Sequence, residues 1–412
     1  MRKRIFNIAK LAGITRENNL LRGEALNVLE TIDNVYVDIE NGMIVEFGPF
    51  SATADQGDRG YEYIDAKGAT ILPCWCDSHT HIVFAASREN EFVDKINGLS
   101  YAEIAARGGG IIQSASKIAQ ATEQVLFDSA MERLEALMRL GTGAIEIKSG
   151  YGLDTANELK MLRVIQRIKD AAPIPVKASF LGAHTYPPAY QTNHEGYIQL
   201  IINDMLPAIH KENLADYIDV FCEGGFFNYE ETVRICEAGK QFGLTPKIHA
   251  NQLHASGGVE AGIEVGALSV DHLETMTAVN IEALAKSNTI GTMLPTAAFF
   301  LRMSYPPAKA LMAANAALAL ASDYNPGSSP GGNMNFVVAL ACIQMKMLPE
   351  AAINAATING AFAMDLANEV GSIAIGKRAN LIFSKPIPSI AYLPYSFSSN
   401  LIDKVMINGN FL

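Results

Sequence analysis

From residue 67 onward the sequence repeats one unit, a short apolar run, a loop, and then a stretch whose apolar residues recur at helical spacing. Strand-like runs fall at Thr70–Cys76, Gly143–Lys148, Pro175–Phe180, Ile218–Cys222, Thr245–His249, Leu268–His272, Thr289–Leu294 and Ala316–Ser322. Helical periodicity fills intervals such as Glu123–Leu140, Thr155–Ala171, Tyr197–His210, Tyr229–Phe242 and Asn280–Ser287. Parallel strands need a long crossover, and a helix supplies it. Eight such units in about 280 residues predict an α/β fold of the (β/α)8 TIM-like barrel type, with an open doubly wound sheet as the alternative.

The flanks have a different rhythm. Arg4–Ala9, Val35–Ile39, Met43–Phe47 and Tyr61–Asp65 read as short strands, and Asn41-Gly42 is a hairpin turn signal. The tail from Val370 returns to short strands and glycine turns. We therefore expect residues 1–66 and 370–412 to form one small composite β-sandwich domain, and residues 67–369 the barrel.

A net charge of −11 argues against nucleic acid as the main partner, while leaving room for an anionic small molecule held by a few pocket arginines. A basic N-terminus, Met1-Arg-Lys-Arg, is not followed by a long apolar stretch, and no 18-residue apolar run appears elsewhere, so neither a leader nor a membrane span is expected. The five cysteines are odd in number and sit in apolar surroundings, which fits free thiols and a cytoplasmic protein. Cys74 and Cys76 read as small core residues rather than thiolate ligands.

The polar residues at the carboxyl ends of these strands carry the chemistry, because parallel barrels build their sites there. Strand one ends in His79-Thr80-His81, strand five in His249, strand six in His272 and strand eight in Asp323. Taken singly, His249 and His272 read as core histidines, and Asp323 as a turn residue before Asn325-Pro-Gly. Gathered at one barrel rim, imidazoles plus a carboxylate suit one Zn²⁺ or one iron ion, Fe²⁺ or Fe³⁺, with a coordination position left for water.

This arrangement resembles the amidohydrolase superfamily, whose members carry His-x-His after strand one and single His, His and Asp residues after strands five, six and eight. The resemblance covers nearly the whole chain. It implies that His79, His81, His249 and Asp323 are metal ligands and that His272 handles protons. Val220-Phe-Cys-Glu223 offers no lysine after strand four to bridge a second metal, so one ion is expected. Deaminases of the superfamily usually place a glutamate three residues after the strand-five histidine, and this chain has Gln252 there.

Further motifs narrow the likeness. Ile147-Lys-Ser-Gly-Tyr151-Gly-Leu, Phe180-Leu-Gly-Ala-His184-Thr-Tyr-Pro-Pro, His249-Ala-Asn-Gln252-Leu, Ser322-Asp-Tyr-Asn325-Pro-Gly327-Ser328-Ser-Pro and Arg107-Gly-Gly-Gly110 resemble the branch that opens an imidazolone ring bearing a propanoate arm. The implied reaction is hydrolysis of a cyclic amide C–N bond by a metal-activated water, in histidine degradation. Cys74 stands where that branch usually has glycine, a departure that concerns packing.

By the same likeness, Arg88 holds the propanoate, as a guanidinium fork can. Tyr151, Gln252, Asn325, Gly327 and Ser328 contact substrate or product. His184 binds substrate and polarises the ring carbonyl, while Asp323 or His272 serves as general base. Each has a plainer reading: Arg88 as a solvated arginine, Tyr151 as an aromatic wall, His184 as a structural histidine, Asn325-Pro326-Gly327 as a turn. Gly108 to Gly110 read as a mobile flap or a simple loop. A homodimer is expected from the resemblance alone. The competing functions are a one-metal deaminase of a heterocyclic base and a non-catalytic binding protein on the same fold.

Overall fold

The computed structural model describes residues 2–50, 60–99, 103 and 109–412. Strands β1 (Arg2–Ala12), β2 (Thr31–Glu40) and β3 (Met43–Pro49) form an antiparallel meander. The turn between β2 and β3 uses Asn41 and Gly42 at positive φ, as an Asn-Gly hairpin requires. Strands β4 (Tyr61–Asp65) and β5 (Thr70–Pro73) lie parallel to β1, β4 along its first half and β5 along its second.

The strand expected over Thr70–Cys76 is divided between two sheets. The Cys74 N–H donates to the Asn380 carbonyl at 3.0 Å, and the Trp75 N–H to the Gly141 carbonyl at 2.9 Å. β5 therefore stays in the terminal sheet, and only β6 (Trp75–Asp77) enters the barrel. A continuous apolar run carries no mark of this switch, because both sheets bury it.

The barrel continues through β7 (Thr142–Lys148), β8 (Val176–Ala183), β9 (Tyr217–Cys222), β10 (Thr245–Ala250), β11 (Ser269–His272), β12 (Ile290–Met293) and β13 (Leu318–Leu320), all parallel and in sequence order. Closure between its first and last strands is made just beyond their ends. The Asp323 N–H donates to the His79 carbonyl at 3.0 Å, and the His81 N–H to the Tyr324 carbonyl at 2.8 Å. Residues foreseen as chemical thus also complete the barrel.

Helices cross between strands on the outside. Glu123–Arg139 is capped by Thr122 and Thr155–Ala171 by Asp154, each accepting from a backbone N–H of the first turn. The helix expected over Tyr197–His210 is three segments: His194–Leu200, a π turn at Ile201–Met205, and Leu206–Glu212. Pro207 has no N–H to continue the regular ladder, which accounts for the interruption there.

After the barrel, β14 (Leu381–Ser384), β15 (Ile402–Ile407) and β16 (Asn410–Phe411) join β5 and finish the terminal sheet in the order β16-β15-β14-β5-β1-β2-β3. This sheet curls on itself. The Ala379 N–H donates to the Gly42 carbonyl, and Ile5, Val37, Ile44, Ile71, Leu381 and Met406 from both halves share one buried core.

Candidate active site

Strand geometry places the site. Successive strand residues face opposite sides, so His249 and Lys247 share the barrel interior, as do Glu146 and Lys148. His79 and His81 follow β6 on the segment that closes the barrel. His272 ends β11, where alternation would turn it away from the side taken by Asp271. The backbone there is left-handed, with φ 89° at His272 and 72° at Leu273, which lets both Asp271 and His272 approach His79. Asp323 is also left-handed, at φ 53°. Non-glycine residues held in this region gather at functional sites, where surrounding structure must sustain the strain.

The ring and carboxylate atoms converge. One ligand atom each from His79, His81 and His249 lie within 4.8 Å of one another, as do those of His79, His272 and Asp323. His81 Nε2 is 3.3 Å from His79 Nε2, and Asp323 Oδ1 is 3.5 Å and 3.6 Å from these two nitrogens. The outward nitrogens are already fixed: His79 Nδ1 donates to Asp271 Oδ2 at 2.7 Å, and His249 Nδ1 to Asp219 Oδ1 at 3.0 Å. His249 Nε2 is buried without a hydrogen-bond partner. Burial, with Lys148 next in effect, holds the His79 pKa well below the ordinary value; burial and His249 do the same to His81. Three imidazoles with ring nitrogens converging on one point, two of them anchored behind by carboxylates, fit a divalent ion.

Burial raises the Asp323 carboxyl to about 6, against the pull of His272 and His249. For His272, burial works downward, but Glu274, whose Oε1 is 3.4 Å from Nδ1, and the carboxylates of Asp323 and Asp271 leave its pKa raised. Two adjacent groups with affinities drawn toward neutrality can exchange a proton with a substrate.

A cavity of about 600 Å³ opens over this cluster. Its wall includes His81, His249, His272 and Asp323, and also Arg88, Tyr151, His184, Gln252, Asn325, Gly327 and Ser328. His79 lies beneath, fully buried. Every site residue singled out in the sequence therefore lies at this one place. Of the Arg107–Gly110 motif, Arg107 and Gly108 lie outside the described residues. Gly110 is positioned by its N–H, which donates to Glu91 Oε1 at 2.8 Å.

Local hydrogen bonding refines several of these residues. Arg88 is held through an Nη2 bond to Glu91 at 2.6 Å, and its buried Nε has no partner. Arg88 also lines the cavity, where a guanidinium suits an anion. His184 Nδ1 lies 3.0 Å from the Gly150 carbonyl, and burial with the adjacent His249 pushes its pKa down to about 3. Its proton therefore sits on Nδ1, and Nε2 presents a lone pair. In this form Nε2 can accept a hydrogen bond from a bound molecule.

The side chain of Asn325 is committed to its own loop. Its amide donates to the Asp323 carbonyl and Ser328 Oγ, and its oxygen accepts from the Gly327 and Ser328 N–H groups at 2.8 Å each. All its hydrogen-bonding capacity is used there, so the turn reading describes what this side chain does.

Sequence reasoning missed the second layer. Asp219, Asp271, Glu146, Lys148 and Lys247 are fully buried beneath the histidines, and Lys95 lines the cavity beside Arg88. Charged residues inside otherwise apolar strands are the available signal, since Lys, Glu and Asp are almost never fully buried without partners. Glu223 is another: it accepts from the backbone N–H groups of Leu253 and His254, fixing the loop that carries Gln252.

The closed barrel with convergent imidazoles at its rim is an amidohydrolase, and the profile of the Amidohydrolase family matches residues 207–412. Solved structures agree on the fold. 5-Methylcytosine deaminase from Klebsiella pneumoniae superposes with a TM-score of 0.74 at 15% identity, covering 99% of this chain and 97% of that one. Guanine deaminase from E. coli gives 0.72 at 12% identity, covering 100% and 99%. Sequence similarity is far stronger to one branch: imidazolonepropionase of Flavobacterium johnsoniae is 51% identical over 99% of both chains, and that of Christiangramia forsetii is likewise 51% identical over 99% of each. The chain belongs to the imidazolonepropionase family.

Proposed function

We propose that this chain hydrolyses the ring amide of 4-imidazolone-5-propanoate to N-formimidoyl-L-glutamate, a step of histidine degradation. The observation that carries this reading is the cavity itself, which has a metal-fit cluster in one part of its wall and the Arg88 guanidinium, with one N–H unpartnered, in another. Such a cavity matches a small ring with an anionic arm.

His79, His81, His249 and Asp323 would hold one zinc or iron ion. That ion, when bound, supplies Lewis acidity toward water and a carbonyl oxygen. The chain's own groups do the rest. Arg88 receives the propanoate, with Lys95 adding positive charge beside it. Tyr151 and Gln252 border the ring, Gln252 offering both a donor and an acceptor. His184 accepts the ring N–H, and Asn325 shapes the loop that presents Gly327 and Ser328. Asp323 and His272 take the proton of the attacking water and return it to the departing ring nitrogen. The carbonyl carbon gains an oxygen, the C–N bond breaks, and a new carboxylate forms.

We extend the proposal to a cytoplasmic homodimer of two-part subunits, residues 1–66 with 370–412 and residues 67–369. Five free cysteines support a reducing compartment. Among the described residues no helix is long and apolar enough to cross a membrane.

The test is incubation of purified, metal-analysed protein with 4-imidazolone-5-propanoate. Loss of ring absorbance with appearance of N-formimidoyl-L-glutamate is expected. A fully metal-loaded protein that leaves the ring intact refutes the substrate assignment.

A further inference from the structure

Beneath the histidines lie five fully buried charged residues on four strands: Glu146 and Lys148 on β7, Asp219 on β9, Lys247 on β10 and Asp271 on β11. Lys247 has its own partners, Glu146 and the carbonyls of Ser78 and Ala363, the latter two at 3.1 Å. Lys148 is placed differently. It pairs with Glu146, bonds Asp219 Oδ2 at 2.7 Å and lies 3.7 Å from Asp271 Oδ2.

Those two aspartates are the anchors of separate imidazoles. Asp271 Oδ2, the oxygen nearest Lys148, is the one that accepts from His79. Asp219 accepts from both the ring and the backbone N–H of His249 through Oδ1, and turns Oδ2 to Lys148. Asp271 Oδ1 is taken by the Ser269 hydroxyl at 2.6 Å.

We propose that Lys148 is a positioning residue, whose ammonium ties the two anchoring carboxylates together and so sets the rings of His79 and His249 in a fixed mutual orientation. Each aspartate alone fixes one ring relative to one strand. The lysine fixes the two rings relative to each other, across β9, β10 and β11. Without it, two like charges share a buried interior, and Asp219 Oδ2 has no donor among the described residues. Each carboxylate is then driven to turn away from the other, which loosens the imidazole it holds. Lys247 cannot substitute, because Glu146 and two carbonyls occupy it.

This inference rests on the proposed metal reading, and the experiment separates the two. Divalent metal affinity is measured by chelator competition, and ligand geometry from the visible spectrum of Co²⁺-loaded protein, for wild type, Lys148→Met, and the charge-balanced double variant Lys148→Met/Glu146→Gln. The double variant removes one charge of each sign, and Lys247 keeps the Ser78 and Ala363 carbonyls together with the introduced amide oxygen as acceptors, so it guards against simple misfolding. The expected result is a folded double variant that binds metal about 10–100-fold more weakly, with shifted cobalt bands.

Wild-type affinity and an unchanged spectrum in either folded variant overturn the inference alone. A double variant that fails to fold also overturns it, by making Lys148 part of the scaffold. A wild-type chain that takes up no divalent ion removes the metal reading and this inference together.

Discussion

Gly327→Ala tests the proposed propanoate site at Arg88 separately from the fold. A β-carbon at position 327 would stand 2.2 Å from Arg88 Nη1 and 2.7 Å from its Cζ. Nonbonded heavy atoms need about 3.5 Å, so the guanidinium must move by about 1.3 Å. Gly327 is not among the residues at positive φ, so alanine fits the backbone. The atoms it strikes are the end of a side chain, which can swing without disturbing strands or helices.

The cost should therefore fall on substrate and not on stability. Moving the guanidinium forfeits a hydrogen bond to a charged group, about 1.5–3 kcal/mol, which corresponds to roughly a 10–150-fold rise in KM. Steady-state kinetics alongside a thermal melt read both quantities. We expect the large KM increase, a smaller change in kcat, and a melting temperature within a few degrees of wild type. An unchanged KM in a folded Gly327→Ala protein would refute the placement of the propanoate at Arg88.

Two further substitutions probe the support of the site. Glu223→Ala leaves the Leu253 and His254 N–H groups without their carboxylate acceptor, at about 1–3 kcal/mol, so kcat/KM should fall about tenfold and hydrogen exchange at residues 252–256 should quicken; unchanged exchange there would show that Glu223 does not hold the loop. Gly360→Ala would set a β-carbon 2.4 Å from the backbone carbonyl of Cys76 in β6, and overpacking of this kind costs about 1–3 kcal/mol, visible as a lower denaturation midpoint. An unaltered midpoint would mean that the helix Ile358–Phe362 can back away from the barrel freely.

The barrel and the rim histidines were legible in the sequence because each depends on local pattern. A buried parallel strand reads as an apolar run, and the polar residue that ends it stands out. The division of Thr70–Cys76 between two sheets was not legible, since the hydrogen bonds that decide it come from Asn380 and Gly141, far along the chain. The commitment of Asn325 to its own loop was present as a turn signal, and its hydrogen bonds settle how that amide is used. The carboxylates behind the histidines were visible as letters but not as partners. Asp219 and Asp271 acquire meaning only when barrel closure brings His249 and His79 against them, and the role of Lys148 requires both at once.

The split of the first strand has a consequence for how the chain acquires its structure during synthesis. β5 leads directly into the histidine pair, and its antiparallel partner is β14, with Leu381 opposite Pro73 and Phe383 opposite Ile71. The segment carrying His79 and His81 emerges early from the ribosome, yet the edge of the strand before it stays open until some 300 further residues have been made. Capture of the metal in its final geometry is thereby tied to the last part of the fold to arrive, and a nascent chain interrupted before residue 381 would carry all the rim histidines on an unfinished base.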